Sequence, residues 1–456
     1  MQTQIFTAHK RHLGMRAPTV LAVGFALTIL VGALVLMLPV SAADGQITPF
    51  LDALFTAASA SCVTGLVTVS TAVHWSVFGK CVILLLIQIG GLGFMSVAAI
   101  ASFVLRRTIT LHERMVMSAG LNLSDGGGIV RLTRRVLFGT FIIEGTGAVL
   151  LSCRFVPHYG FPKGITMGVF HAVSAFCNAG FDLMGTPDDP FQSLIGWAED
   201  PLVNITVMAL IVLGGLGFFV WSDVWDKHSF RRLSLHTKIV LTATAGLLLF
   251  GFGWTLLFEW SNPATLGAFD TPHKLLAAAF ESVTLRTAGF NTIDLGALTG
   301  PSQAVSCLLM FIGGSPGSTA GGIKTVTAAV LVLTAISAFC GRTTVSAFGR
   351  TIAPRSIMNA VTLLMAGGVL CLVGACAIAG IEDAPFHQCL FEAVSAFGTV
   401  GVSMGLTPTL AAASRVILIV MMYMGRVGVL TLGVAVFMRR REPPRLKYPD
   451  ADVFIG

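Results

Sequence analysis

Four short segments of this chain share one pattern of residue types: Val63-Thr64-Gly65, Asn178-Ala179-Gly180, Thr287-Ala288-Gly289 and Thr399-Val400-Gly401. Their glycines are spaced by 115, 109 and 112 residues. Removing water from a monovalent cation demands replacement oxygens, and rings of backbone carbonyls supply them without any charged side chain. Aiming successive carbonyls at one axis requires backbone conformations that glycine reaches freely and other residues avoid. No carboxylate lies in the four triplets. Each triplet closes an amphipathic, Phe-led stretch: 55–66, 170–181, 280–290 and 391–402, the third being one residue shorter than the others from Phe to Gly. Such a stretch reads as a short pore helix whose carbonyl end, carrying partial negative charge, faces the same centre. Glu281 and Glu392 fall early in two of these helices, where a glutamate is expected to satisfy amides at the N-terminus.

The elements that must position these triplets are long apolar segments. They fall near 18–40 and 79–105, 135–156 and 203–224, 238–260 and 303–338, and 356–380 and 414–438, so that each triplet lies between two spans of about the 20 residues a membrane crossing needs. The Phe-led stretches are too short and too polar to cross. Segments that enter the membrane and turn back are tolerated only where protein or water covers them, so four of them require a common watery centre. Self-similarity at a period near 110 residues reads as a duplicated membrane hairpin. The division expected is 1–130, 131–232, 233–350 with a broken second span, and 351–456 including a C-terminal tail.

Composition agrees. Of 456 residues 54% are hydrophobic and 11% charged, with mean hydropathy +0.83, whereas a soluble domain carries about 25% charged residues. The net charge of +7 does not indicate nucleic acid, because the basic residues cluster: Lys10, Arg11 and Arg16; Arg106 to Arg135; Lys227 to Lys238; Arg342, Arg350 and Arg355; and Arg439 to Lys447. By the positive-inside rule these five clusters are cytoplasmic, with both termini, and four excursions leave and return. The first span, ending in Leu-Pro-Val and followed by further spans, is not expected to be a signal peptide. Nine cysteines in mostly apolar stretches read as buried small residues rather than a disulfide framework. His74, His171 and His387 read as single interfacial residues.

One span is interrupted. Gly313-Gly314-Ser315-Pro316-Gly317-Ser318-Thr319-Ala320-Gly321-Gly322 cannot continue a stable helix. An unwound segment just below the triplets would obstruct a conduction path. The sequence around it superficially matches a phosphate-binding loop, but Ile323 separates Gly322 from Lys324, and nucleotide binding is rejected. Arg426 lies mid-span in the last helix, where a charge is a functional candidate: it either raises the barrier to a passing cation or bonds loop carbonyls such as those at 313–317. Lys324 and Arg286 are the other basic residues at membrane depth. Arg286, directly before a triplet, is expected to buttress the pore loop.

These motifs resemble the Trk/Ktr/HKT superfamily of potassium transporters over essentially the whole chain. The segments CVTGL, NAGF, RTAGF and TVGVS are similar to that family's four pore loops, and so are GGLGF at 90–94 and 214–218, GGSPGSTAGGIKT at 313–325 and MMYMGRVG at 421–428. The resemblance implies an all-α integral membrane fold: eight spanning helices and four re-entrant pore helices around one pseudo-fourfold pore. Glycine at all four triplets, Gly65 included, is the family pattern associated with potassium. Eight spans resemble the bacterial Ktr membrane subunit more than the longer Trk form. The resemblance further implies potassium bound by the twelve triplet residues, an intramembrane gating loop, a homodimer in plasma (inner) membrane lipid, and a cytoplasmic ring of nucleotide-binding regulatory subunits. No cofactor is expected, and coupling to sodium, to protons or to membrane potential alone stays open. The alternative is an ion-coupled secondary transporter of another monovalent cation or small solute, since broken helices also build such sites. Four copies in one orientation, rather than two inverted halves, speak for the channel-like reading. An enzyme is not expected: no H-E-x-x-H, no G-x-S-x-G and no paired membrane carboxylates occur.

Overall fold

The computed structural model describes residues 17–93 and 129–437, and they are predominantly helical. Helix α1 (Ala17–Leu36), the short α2 (Phe50–Cys62) and α3 (Val77–Leu92) come first. Next are α4 (Ile129–Tyr159), α5 (Phe161–Phe176), α6 (Pro201–Gly215) and α7 (Phe218–Lys227). Then follow α8 (Leu235–Glu259), α9 (Thr271–Thr284), α10 (Gly300–Phe311) and α11 (Thr325–Phe339). The last group is α12 (Pro354–Ile381), α13 (Phe386–Gly398), α14 (Ala412–Val427) and α15 (Val429–Phe437). A two-stranded hairpin, β1 (Ser346–Ala347) and β2 (Arg350–Thr351), joins α11 to α12. The basic clusters before residue 17, from Arg106 to Arg114 and after residue 437 lie outside the described residues.

Helices α1, α4, α8 and α12 are long and apolar enough to cross a membrane. Their outward side chains, such as Leu27, Phe141, Leu257 and Met365, are left exposed, as suits contact with lipid rather than water. The short helices are the opposite. In α2 every residue from Phe55 to Cys62 is buried, serine and threonine included. The start of each is fixed locally: Pro49 and Pro385 immediately precede α2 and α13, and Pro162 and Pro272 occupy the first turns of α5 and α9. A missing N–H is tolerated there and φ is already helical. Asp270 also caps α9 by accepting the His273 N–H.

The packing is cyclic. Helix α3 lies against α5, α6 against α9, α10 against α13, and α14 against α2. Each helix after a triplet thus supports the short helix of the following group, and the last supports the first. This arrangement puts the four short helices around one centre.

Two spans expected to be continuous are broken. At 203–224 the chain runs as α6 and α7, bent by 92° at Gly217, whose φ is +95°. At 414–438 α14 and α15 meet at Gly428, φ +90°. A residue with a Cβ resists both conformations, so the helix changes direction there. The expected break at 313–322 separates α10 from α11, and α3 ends at Gly93, beyond which the residues are not described.

Candidate ion pathway

The four triplets adopt one backbone pattern. The first residue of each is left-handed despite its side chain: Val63 (φ +57°), Asn178 (+58°), Thr287 (+70°) and Thr399 (+52°). The glycine two residues later is also at positive φ: Gly65 (+96°), Gly180 (+69°), Gly289 (+84°) and Gly401 (+93°). Sterically disfavoured conformations repeated four times in register must be held by their surroundings. The holding bonds run back to the short helices. The middle N–H groups of Thr64, Ala179, Ala288 and Val400 donate to the carbonyls of Ser59, Ser174, Thr284 and Ser395 at 2.7–2.9 Å. Ser59 and Ser395 accept again, through their hydroxyls, from the N–H of Gly65 and Gly401. The hydroxyls of Ser174, Thr284 and Ser395 donate to the carbonyls of Phe181, Phe290 and Val402, each just past its glycine.

With the N–H groups engaged behind the loops, the carbonyls of Thr64, Ala179, Ala288 and Val400 face inward and meet one another's loops. A methyl group added at Gly65 would lie 2.6 Å from the Ala179 oxygen. One at Gly180 would lie 2.8 Å from the Ala288 oxygen, and one at Gly289 2.7 Å from the Val400 oxygen. One at Gly401 would lie 1.9 Å from the Thr64 oxygen. The relation closes on itself, so the twelve expected residues come together in one ring. Thr64, Ala179, Ala288 and Val400 are fully buried, and among the described residues none of their carbonyls accepts a hydrogen bond.

A cavity of about 230 Å³ touches all four glycines on one side. Asp182 and Asp294 line it. Burial lifts the Asp182 carboxyl to about 6, although the N–H groups of Met184 and Gly185 oppose that rise. On the other side, past the 312–324 loop, lies a cavity of about 560 Å³ lined by Lys324, Arg426 and His236 and, among the described residues, by no acid.

The loop between the two cavities is tied directly to the second, third and fourth groups of helices, and to the first through Arg426. Ser315 N–H donates to the Gly215 carbonyl and Thr319 N–H to that of Gly214, while Phe218 N–H donates to Gly317. The Thr319 hydroxyl donates to Asn178 Oδ1 at 3.0 Å, connecting the loop to the second triplet. Arg286 Nη2 donates to the Gly313 carbonyl at 2.8 Å and to the Thr325 hydroxyl at 3.1 Å. These bonds tie the third pore loop to the start of the break, a buttress of the kind expected. Lys324 Nζ bonds the Ala320 carbonyl at 2.6 Å. Arg426 donates to the carbonyls of Thr319, Gly90 and Gly91, so its loop contact is further along than 313–317. Glycines just before the breaks serve close approach: a methyl at Gly90, Gly214 or Gly425 would strike the Ser61, Phe176 or Phe397 carbonyl at 2.2, 1.9 and 2.0 Å.

Three further expectations need correction. Glu392 does not serve helix amides at the N-terminus. It accepts from Ser403, from the Met404 N–H and from Thr407, all beyond its triplet, because the loop folds back over the helix. Glu281 finds no donor among the described residues. His171 is not interfacial: it is fully buried, with its ring between the Met167 carbonyl and the Leu183 N–H. The described cysteines form no disulfide.

Residues 3–442 match the family model for TrkH, described as a cation transport protein. The chain is 42% identical over 439 residues to the Ktr system potassium uptake protein B of Bacillus subtilis, with 96% of each chain covered. It is 40% identical to the potassium/sodium uptake protein NtpJ of Enterococcus hirae, again over 96% of both. The fold matches the crystal structure of the potassium transporter TrkH from Vibrio parahaemolyticus with a TM-score of 0.72 at 17% identity, over 94% of this chain and 86% of that one.

Proposed function

This chain belongs to the TrkH family of cation transport proteins, and on that premise we propose that it takes up potassium across the membrane through a channel-like pore. It is a multi-pass membrane protein and not an enzyme. The observation that carries the reading is the closed ring of four buried carbonyls, at Thr64, Ala179, Ala288 and Val400, that lack any donor among the described residues. A buried polar oxygen without a partner is costly, and a dehydrated cation at the centre removes that cost for all four. Neighbouring carbonyls of Val63, Asn178, Thr287, Thr399 and of the four glycines extend the filter along the axis.

The 313–322 loop and Arg426 form the gate. The loop separates the ring from the large cavity, and the guanidinium both fastens it and sets a positive charge in the path. In the open state the Arg426 bond to Thr319 is broken and the loop moves aside. The four groups of helices correspond to repeats 1–130, 131–232, 233–350 and 351–456. The basic clusters orient both termini, and the large cavity, to the cytoplasm of a bacterial inner membrane. The cavity bearing Asp182 and Asp294 is then the outer mouth, where two carboxylates attract cations.

By analogy with the relatives named for a Ktr system, the chain works as a homodimer on a cytoplasmic ring of nucleotide-binding regulatory subunits. Nothing of a nucleotide site lies in this chain's 313–325 segment. Uptake of rubidium into proteoliposomes, driven by membrane potential and competed with potassium or sodium, tests the function. Potassium is expected to compete and sodium to compete poorly. Rubidium entry that neither potassium nor a Gly65→Ser change affects would overturn the assignment.

A further inference from the structure

The four triplets are not held alike. In the first and fourth, the N–H of Gly65 and of Gly401 donates to a hydroxyl of the short helix, Ser59 at 3.0 Å and Ser395 at 3.2 Å. In the second and third, the Ser174 and Thr284 hydroxyls donate to the Phe181 and Phe290 carbonyls. Among the described residues they accept nothing from the N–H of Gly180 or Gly289.

A side chain joins these two triplets instead. Asn178, left-handed at φ +58° and 1% exposed, places Nδ2 3.4 Å from Thr287 Oγ1 and 3.5 Å from the Arg286 carbonyl. Both contacts are long. The carbonyl can only accept, however, which fixes the amide with its nitrogen toward the third triplet and its oxygen toward the 313–322 loop. There Oδ1 accepts the Thr319 hydroxyl at 3.0 Å. Of the four residues that lead the triplets, only Asn178 has a side chain hydrogen-bonded to the loop among the described residues. The loop meets Thr287 and Thr399 by packing: a methyl at Gly313 would lie 3.3 Å from Thr287 Cγ2, and one at Gly321 would collide with Thr399, whose hydroxyl has no partner among the described residues.

Thr319 works in two directions. Its carbonyl accepts from Arg426, while its hydroxyl serves Asn178. Both Thr319 and Asn178 are buried, and the site is close-packed: a methyl at Gly214 would lie 2.8 Å from Asn178 Oδ1. A loop that moves aside takes this donor with it, and a buried amide oxygen left without a donor is costly. The amide must then turn, and its ties to the third triplet turn with it.

We propose that Asn178 is a positioning residue that couples the gate to the filter. With the loop in place, Thr319 holds the Asn178 amide, and through it the second and third triplets. When the loop moves aside, the amide is released and the ring discriminates less between potassium and sodium. The coupling rests on the 313–322 loop being the gate. As a linkage it runs both ways: an ion that fits the ring favours the Thr319 bond and so steadies the closed loop.

The test is paired uptake of radioactive rubidium and sodium into proteoliposomes carrying the full-length protein, read as a rubidium flux and a sodium-to-rubidium ratio. Thr319→Val keeps the shape and the carbonyl that Arg426 holds but removes the hydroxyl. It should raise flux by roughly threefold to tenfold, the contribution of one neutral hydrogen bond, and raise the ratio with it. Thr319→Ser retains a hydroxyl and should show much the smaller change in both. Asn178→Gly adopts the left-handed backbone freely, so a raised ratio there reports the lost side chain. Adding Thr319→Val to it should raise the ratio no further. Arg426→Gln frees the loop through a different contact and should raise flux and ratio together, the ratio rising in the parent but not in the Asn178→Gly background. Equal effects of valine and serine at 319, or independent effects of Asn178→Gly and Thr319→Val, overturn the coupling. Where Asn178→Gly does not assemble, the comparison at 319 decides. A parental ratio in Arg426→Gln with raised flux also overturns the coupling and leaves the gate standing. Parental flux in Arg426→Gln, with the ratio still shifted non-additively by the Thr319 and Asn178 variants, would overturn the gate while upholding Asn178 as the residue that positions the filter.

Discussion

The guanidinium of Arg426 donates to the backbone carbonyl of Thr319, fastening the last transmembrane group of helices to the loop between the two cavities. The same side chain holds Gly90 and Gly91 of α3, so one residue joins three parts of the ring below the triplets. A hydrogen bond from a charged donor contributes about 1.5–3 kcal/mol. Its loss in Arg426→Gln is expected to raise the open fraction, and hence rubidium flux, by roughly tenfold. Flux at or below the parental level in monodisperse protein would remove Arg426 from the gate.

On the opposite face Arg415 Nη1 lies 2.7 Å from Asp52 Oδ1, and Thr68 donates to the same oxygen at 2.9 Å. The pair joins α14 to the start of α2 and so closes the cycle of helices. Both side chains are mostly buried, and a double-mutant cycle of Arg415→Gln and Asp52→Asn should return a coupling of about 1 kcal/mol. Thermal melts in detergent check this; additive effects of the two changes would show that the pair does not couple.

Gly214 and Gly246 make a contrasting pair. A methyl at Gly214 would lie 1.9 Å from the Phe176 carbonyl, while at Gly246 nothing lies within 4 Å. Gly214→Ala should destabilise by about 1–3 kcal/mol or more. Gly246→Ala should be neutral or stabilising by up to about 1 kcal/mol, since alanine is the better helix former. Equal melting temperatures for the two variants would contradict the packing described.

Asp182 introduces a pH dependence at the mouth. Its carboxyl is raised by burial to about 6, so it is charged above that value and becomes neutral as external pH falls through it. The carboxylate attracts cations to the cavity beside the glycines, so apparent affinity for rubidium should fall as pH drops from about 7 to 5, with the maximal rate less affected. Asp182→Asn should abolish that component. A pH profile identical in parent and variant would exclude Asp182 as its origin.

Much of this was legible in the residues, for identifiable reasons. The triplets were visible because a glycine closing a Phe-led amphipathic stretch recurs at spacings of 115, 109 and 112 residues, and the third break because five glycines and a proline leave no helical reading. The breaks at Gly217 and Gly428 were hidden: a single glycine in an apolar run is tolerated in a helix, and only the positive φ at each, with the 92° bend at Gly217, shows the chain turning there. The sequence signal was present in the Leu-Gly-Phe that recurs at 92–94 and 216–218 and in Arg-Val-Gly, but a lone glycine there fits a continuous helix equally well. The partners of Arg426, Arg286 and Glu392 were illegible because each depends on segments brought together across the ring, Gly90 and Thr319 being 336 and 107 residues from Arg426. His171 was misread because an amphipathic pattern does not reveal that a short helix is covered on all sides.

The central claim is that the carbonyls of Thr64, Ala179, Ala288 and Val400 hold the permeating ion. Crystals of the full-length protein grown with rubidium or thallium in place of potassium would locate it by anomalous scattering. A peak on the axis of the ring, ligated by those four oxygens and displaced by potassium, is the predicted result. Density only at carboxylates or in the outer cavity, with the ring vacant at saturating ion, would contradict it.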